Sequence, residues 1–279
     1  MCKYLLENMS LENSEKQNTP IGIFDSGVGG LSVWREIRRI LPHENTIYFA
    51  DSANCPYGPQ PTASIIAHSE KVVNFLLEKK CKLIVVACNT ATSAAIKYLR
   101  EKYPIQFVGM EPAIKPAALS TQTGKIGVLA TEGTIKGQHF INTKEKFARG
   151  VEVLETIGTG LVELVESGEW NTEKGNKLVG SYVNPMIDFG ADRIVLGCTH
   201  YPFLKELIAE IVGEKAKILN PAPAVAKRVH SVLKEQNILS RAYTKPSHEF
   251  YGSGSLESLK KLVSLLEIEP FSFPNKNGN

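Results

Sequence analysis

Two stretches with the same grammar constrain this chain more than any other feature: Ile84-Val85-Val86-Ala87-Cys88-Asn89-Thr90 and Ile194-Val195-Leu196-Gly197-Cys198-Thr199-His200. Each is a short apolar run, one small residue, a cysteine, then side chains that hydrogen-bond, and each leads into a helical pattern. A continuous apolar run of this length reads as a strand buried on both faces, the kind found in parallel sheets. The cysteine then stands at the strand's carboxyl end, where open α/β sheets hold their ligands. Taken singly, a buried cysteine is most often a small core hydrophobe. Two of them in matching contexts predict a site with opposing thiols, built from two similar halves.

The remaining chain alternates in the same way. A strand at Ile21 to Phe24 ends in Asp25-Ser26-Gly27-Val28-Gly29-Gly30, and Leu31, Trp34, Ile37 and Leu41 then recur at helical spacing. A strand from Thr46 to Ala50 runs into a loop dense in turn formers, and an amphipathic helix over 62–79 leads to the first cysteine strand. Strands at 105–108 and 125–130 flank Glu111-Pro112-Ala113-Ile114-Lys115-Pro116, which reads as a crossing between domains. A helix over 132–147, a strand from Val151 to Glu155 and helices near 160–167 and 175–189 precede the second cysteine strand. A helix, a strand from Ala216 to Leu219, a break at Asn220-Pro221-Ala222-Pro223, another helix and a strand near 247–251 close the pattern. Such alternation means βαβ units and parallel sheets.

Composition narrows the function classes. At 279 residues, with 43% hydrophobic and 22% charged residues, the chain reads as a soluble globular protein of about two domains. A net charge of +3 without a basic stripe gives no case for nucleic acid. No apolar run reaches a membrane span. Residues 1–19 form a polar extension without a secretory core, expected to be loosely ordered. The five cysteines, an odd number with no leader, point to reduced thiols in a cytoplasm. No CxxC or HxxxH spacing supports a zinc site, so no metal is expected.

Chemistry concentrates around the two thiols. Both cysteines precede predicted helix N-termini, whose free N–H groups and dipole favour thiolate and attract carboxylate. Asn89 and Thr90 flank one, Thr199 and His200 the other. His200 alone is as often structural as catalytic, but beside Cys198 it can pass protons. The Asp25–Gly30 turn either cradles phosphate, although it is neither a P-loop nor GxGxxG, or lets backbone approach a small anion with Asp25 as a charged partner. Tyr57-Gly58 reads equally as a plain turn, and Glu166 as a solvated helix end. Cys55 and Cys81 read as incidental.

IGIFDSGVGGLSV, YFADSANCPYGP, IVVACNTATSAA, KIGVLATEGTI, LVELVESG and IVLGCTHYPFL together resemble glutamate racemase, within the aspartate/glutamate racemase superfamily, from about residue 20 to 265. The resemblance implies cofactor-independent inversion of glutamate by two bases, supplying D-glutamate for bacterial peptidoglycan. By position, Cys88 and Cys198 match the two bases. Asp25 matches the group assisting the first, Glu166 and His200 those assisting the second. Asp25, Ser26, Tyr57, Gly58, Asn89, Thr90, Thr199 and His200 are implied substrate contacts, as are Thr131 and Thr134. The implied fold is α/β, with two similar domains of mostly parallel sheets and the site between them. The first domain takes 20–112 and 221–270, the second 113–220, and 271–279 form a tail. A homodimer is expected, with glutamate as the partner and neither nucleic acid nor membrane. Rival readings are a racemase of aspartate or another small acid, a single-cysteine hydrolase or lyase, and an amino-acid-binding module without catalysis.

Overall fold

The structure, a computed structural model, describes residues 13–241, 245–266 and 271–274. Cys2, most of the polar extension and the end of the tail lie outside the described residues. Strands Ile21–Asp25 (β1), Thr46–Ala50 (β2), Leu83–Val86 (β3), Phe107–Gly109 (β4) and, from late in the chain, His248–Gly252 (β9) form one sheet in the order β4-β3-β1-β2-β9. Strands Lys125–Ala130 (β5), Glu152–Ile157 (β6), Arg193–Gly197 (β7) and Lys217–Leu219 (β8) form the second, in the order β6-β5-β7-β8. Every pairing within the two sheets is parallel.

The two orders are one order. Read as β8-β7-β5-β6, the second sheet repeats β4-β3-β1-β2 strand for strand, so the cysteine strands β3 and β7 hold equivalent central places. The likeness read from two heptapeptides therefore extends to the connectivity of both halves. Burial follows from it: β1, β3 and β7 are covered on both faces by helices and carry continuous apolar runs. In the first half Trp34, from the helix Leu31–Ile40, packs edge-on against Phe250 of β9, and its Nε1 donates to Thr46 Oγ1 at 2.9 Å. The helix Ala222–Glu235 lies along Leu31–Ile40 and carries the chain back to the first sheet.

Four expectations shift. The crossing after β4 is not simply a linker: Ile114–Ser120 is a helix, with Pro116 in its first turn, where a missing N–H breaks no helical bond. The helix anticipated over 132–147 is two, Glu132–Ile135 and Gln138–Phe147. They part at Gly137, whose position leaves no room for a Cβ beside Ser93 of the first half. Asn220 to Pro223 starts a helix rather than breaking the chain, Asn220 Oδ1 accepting from Ala222 N at 2.9 Å. Finally, Asn13–Asn18 within the polar extension is helical. It is held by Lys82, whose Nζ donates to Gln17 O at 2.9 Å and pairs with Glu44 at 2.6 Å in a buried contact.

Candidate active site

Cys88 and Cys198 meet in one small cavity of about 10 Å³, brought there from β3 of the first sheet and β7 of the second. Ser26, Tyr57, Gly58, Asn89, Thr90, Thr131 and Thr199 line the cavity with them, and the structure adds Pro56 and Val162. Asp25, Thr134, Glu166 and His200 stand immediately behind this lining. Among the described residues no lysine or arginine lines it, so a carboxylate there would be held by hydroxyl and amide donors. Thr90, Thr131 and Thr134 bring three hydroxyls together: Thr131 Oγ1 lies 2.9 Å from each of the other two.

The two thiols have unlike surroundings. Cys88 caps the helix Asn89–Lys102, its Sγ accepting from Ala91 N at 3.4 Å, and Ser26 Oγ lies 3.8 Å away. Burial and then the neighbouring Asp25 carboxylate push this thiol well up, so it rests protonated. Asp25 is itself raised by burial, although His200 and its hydrogen bonds pull the other way. Its Oδ2 accepts from Gly30 N at 2.6 Å and from Thr199 Oγ1 at 3.1 Å, while Oδ1 is buried with no hydrogen-bond partner among the described residues. Asn89 Oδ1 is unpartnered in the same way. Two orphaned acceptors beside a thiol suit an ammonium group.

Cys198 has no α-helix directly after it, contrary to expectation. A 3₁₀ turn, Tyr201–Leu204, intervenes before the helix Lys205–Val212. An imidazole replaces the helix terminus: His200 Nδ1 lies 3.7 Å from Cys198 Sγ, and His200 Nε2 lies 2.7 Å from Glu166 Oε1. Burial alone would lower His200. Cys198, Cys55 and Glu166 outweigh it and hold the ring well above its usual range. Glu166 is held low despite burial, by His200 and by Val28 N, which donates to it at 2.8 Å. Gly29 N also points at His200 Nε2, at 3.3 Å. It can donate only to an unprotonated nitrogen, and the ionised Glu166 claims the proton there.

The glycines of the Asp25–Gly30 turn serve the opposite half rather than a phosphate. A Cβ at Gly29 would fall within the His200 ring, and one at Gly27 would collide with the Glu166 carboxylate. Neither glycine has a positive φ, so the need is close approach and not turn geometry. Sequence reasoning missed two residues. Asp51 receives Tyr57 Oη at 2.5 Å and Asn54 Nδ2 at 3.0 Å, and also bonds Ser253, fixing the loop that carries Tyr57 and Gly58. Cys55, read as incidental, lies 3.7 Å from Glu166 Oε1, and burial raises its thiol to about 11. Its place in a turn-rich loop carried no signal of this. Cys81 packs against Gly22 in the core, away from the cavity.

Comparison with known proteins gives concordant matches. Residues 21–229 match the family described as Asp/Glu/Hydantoin racemase. A glutamate racemase from Herpetosiphon aurantiacus is 47% identical over 253 residues, covering 91% of this chain and all of that one. A glutamate racemase isoform from Bacillus anthracis superposes with a TM-score of 0.84 at 31% identity, over 94% of this chain and 100% of its own. The glutamate racemase from Francisella tularensis, solved with D-glutamate, superposes with a TM-score of 0.79 at 28% identity, over 93% and 98%.

Proposed function

Since the chain belongs to the Asp/Glu/hydantoin racemase family, we propose that its two cavity thiols interconvert L- and D-glutamate by passing the α-proton across the substrate. The enzyme is an amino-acid racemase, an isomerase, and its substrate is glutamate. D-Glutamate made in this way serves bacterial peptidoglycan.

The observation that carries the mechanism is the placing of Cys88 and Cys198, one from each sheet, in the same cavity. Inversion at a carbon needs a base on one face and an acid on the other. Cys88 rests as an acid beside Asp25, and Cys198 has the His200 imidazolium as its cation. In one direction Cys198 thiolate takes the α-proton while Cys88 gives its own to the opposite face. In the reverse direction the roles exchange, with Asp25 and the Glu166–His200 pair carrying the alternated charge. General acid–base groups contribute typically about 10²–10⁴-fold, and the rest must come from donors fixed where charge develops. Ser26, Asn89, Thr90, Thr131, Thr134 and Thr199 supply such donors to the carboxylates, with Tyr57 and Gly58 closing the pocket. Asp25 Oδ1 and Asn89 Oδ1 receive the ammonium.

Incubation with L-glutamate in D₂O, without added cofactor, tests this reading. Deuterium should enter the α-position as optical rotation decays. Well-folded protein that exchanges no α-hydrogen would overturn it. Running L-aspartate in parallel fixes the side-chain length, and faster turnover of aspartate would overturn the substrate assignment.

A further inference from the structure

Cys55 has no part in these proton transfers, yet it stands among the groups that serve them. Cys55 Sγ, a Glu166 carboxylate oxygen and a His200 ring nitrogen lie within 4.8 Å of one another. They come from the loop after β2, the helix Leu161–Ser167 and the turn after β7, so no local spacing in the sequence announces the group.

A thiol, an imidazole and a carboxylate are the mixed donors that Zn²⁺ accepts, and three protein ligands leave a fourth position open. One edge of the group already has the length such an ion needs. With Zn–S about 2.3 Å and Zn–O about 2.0 Å, the sulfur–oxygen edge of a tetrahedron is about 3.5 Å; Cys55 Sγ and Glu166 Oε1 are 3.7 Å apart. The 2.7 Å between His200 Nε2 and Glu166 Oε1 is a hydrogen-bond distance. An ion replacing that proton needs the pair to part by roughly half an ångström. We propose that Cys55, Glu166 and His200 form a site for a thiophilic divalent cation of the zinc class, and that its occupancy silences racemisation.

The silencing half rests on the two-thiol reading of the function; the binding half does not. Entry of the ion displaces the Cys55 proton and the proton between Nε2 and Glu166, so affinity rises with pH. Once ligated, His200 no longer exchanges a proton with Glu166, and Cys198 loses its relay. Mg²⁺, which prefers oxygen ligands and holds its waters, should not compete.

Titrating the full-length, reduced chain with Co²⁺ under anaerobic conditions tests both halves. The wild type should bind one Co²⁺ with a near-ultraviolet thiolate-to-cobalt charge-transfer band, displaced by Zn²⁺ and not by Mg²⁺. Cys55→Ser should lose the band and weaken Zn²⁺ by more than the roughly 100-fold that loss of an outer-shell partner costs. That variant's racemisation, measured against its own rate in chelator, should resist added Zn²⁺. Absence of the band in the wild type overturns the site. So does a band of equal strength in Cys55→Ser, which would assign the ion to another of the chain's cysteines. Binding through Cys55 that leaves racemisation untouched overturns the silencing. Binding through Cys55 in a chain that never exchanges α-hydrogen leaves the metal site standing and overturns the racemase reading instead.

Discussion

Each thiol is tuned by a different neighbour, and this asymmetry can be measured residue by residue. Cys88→Ser and Cys198→Ser should each lower kcat by at least about 10²-fold, because a hydroxyl at neutral pH neither accepts nor returns the α-proton as a thiol does. Serine at position 88 still caps the helix Asn89–Lys102, serine being a preferred N-cap. Circular dichroism should therefore match the wild type, and near-normal turnover in either variant would rule out paired thiols. The second prediction concerns pH. His200 is held protonated above its usual range by acceptors that include Glu166, so the charged ring persists at neutral pH and is lost as pH rises through its raised pKa. Glu166→Gln removes one acceptor and lowers that pKa. The alkaline limb of kcat/KM should then move to lower pH, and a limb that stays in place would detach it from His200.

At the scale of elements, the glycine turn after β1 is a docking surface for the second half. Gly29→Ala places a methyl within the space of the His200 ring. Overpacking of this kind costs about 1–3 kcal/mol, but here the load falls on one contact between the halves. Thermal unfolding should shift modestly, whereas kcat should fall at least tenfold as His200 is pushed from Cys198; an unchanged kcat would show that the turn yields freely. The same turn shows what was legible in the sequence. Apolar runs fixed β1, β2, β5 and β7 to within a residue, because buried parallel strands leave a continuous signal. The run of residues from Asp25 to Gly30 announced close approach, but not to what, since His200 and Glu166 are distant in sequence. Ile114–Ser120 was hidden by Pro116, which signals a break unless its place in the first turn is known. The split at Gly137 depends on Ser93, from a different helix in the other half, and periodicity cannot see it. Cys55 meets Glu166, and Asp51 meets Ser253, only through the tertiary fold.

For the whole molecule, the cavity between the halves sets the order of events. About 10 Å³ holds roughly one water molecule, so the cavity must widen for a five-carbon amino acid, and parting of the halves is the expected route. The contacts that must break include Thr90 Oγ1 to Thr131 Oγ1 at 2.9 Å, Gly133 N to Gly58 O at 3.1 Å, Ser32 Oγ to Thr199 O at 2.9 Å, and Val28 N to Glu166 at 2.8 Å. The neutral bonds are worth about 0.5–1.5 kcal/mol net each and the one to the Glu166 carboxylate about 1.5–3 kcal/mol, and substrate carboxylates can take up the hydroxyls that opening frees. Closure over substrate then excludes water from the thiols, where fixed donors act most strongly. A disulfide across the cleft tests the need for opening, the reduced form of the same variant controlling for the two lost threonine hydroxyls. In the double variant Thr90→Cys and Thr131→Cys, side chains already in contact can bond at about 2 Å. The oxidised form should lose turnover at least tenfold relative to the same variant reduced, and reduction should restore it, with thiol titration confirming the bond. Equal turnover in the two forms would mean that glutamate reaches Cys88 and Cys198 without parting the halves.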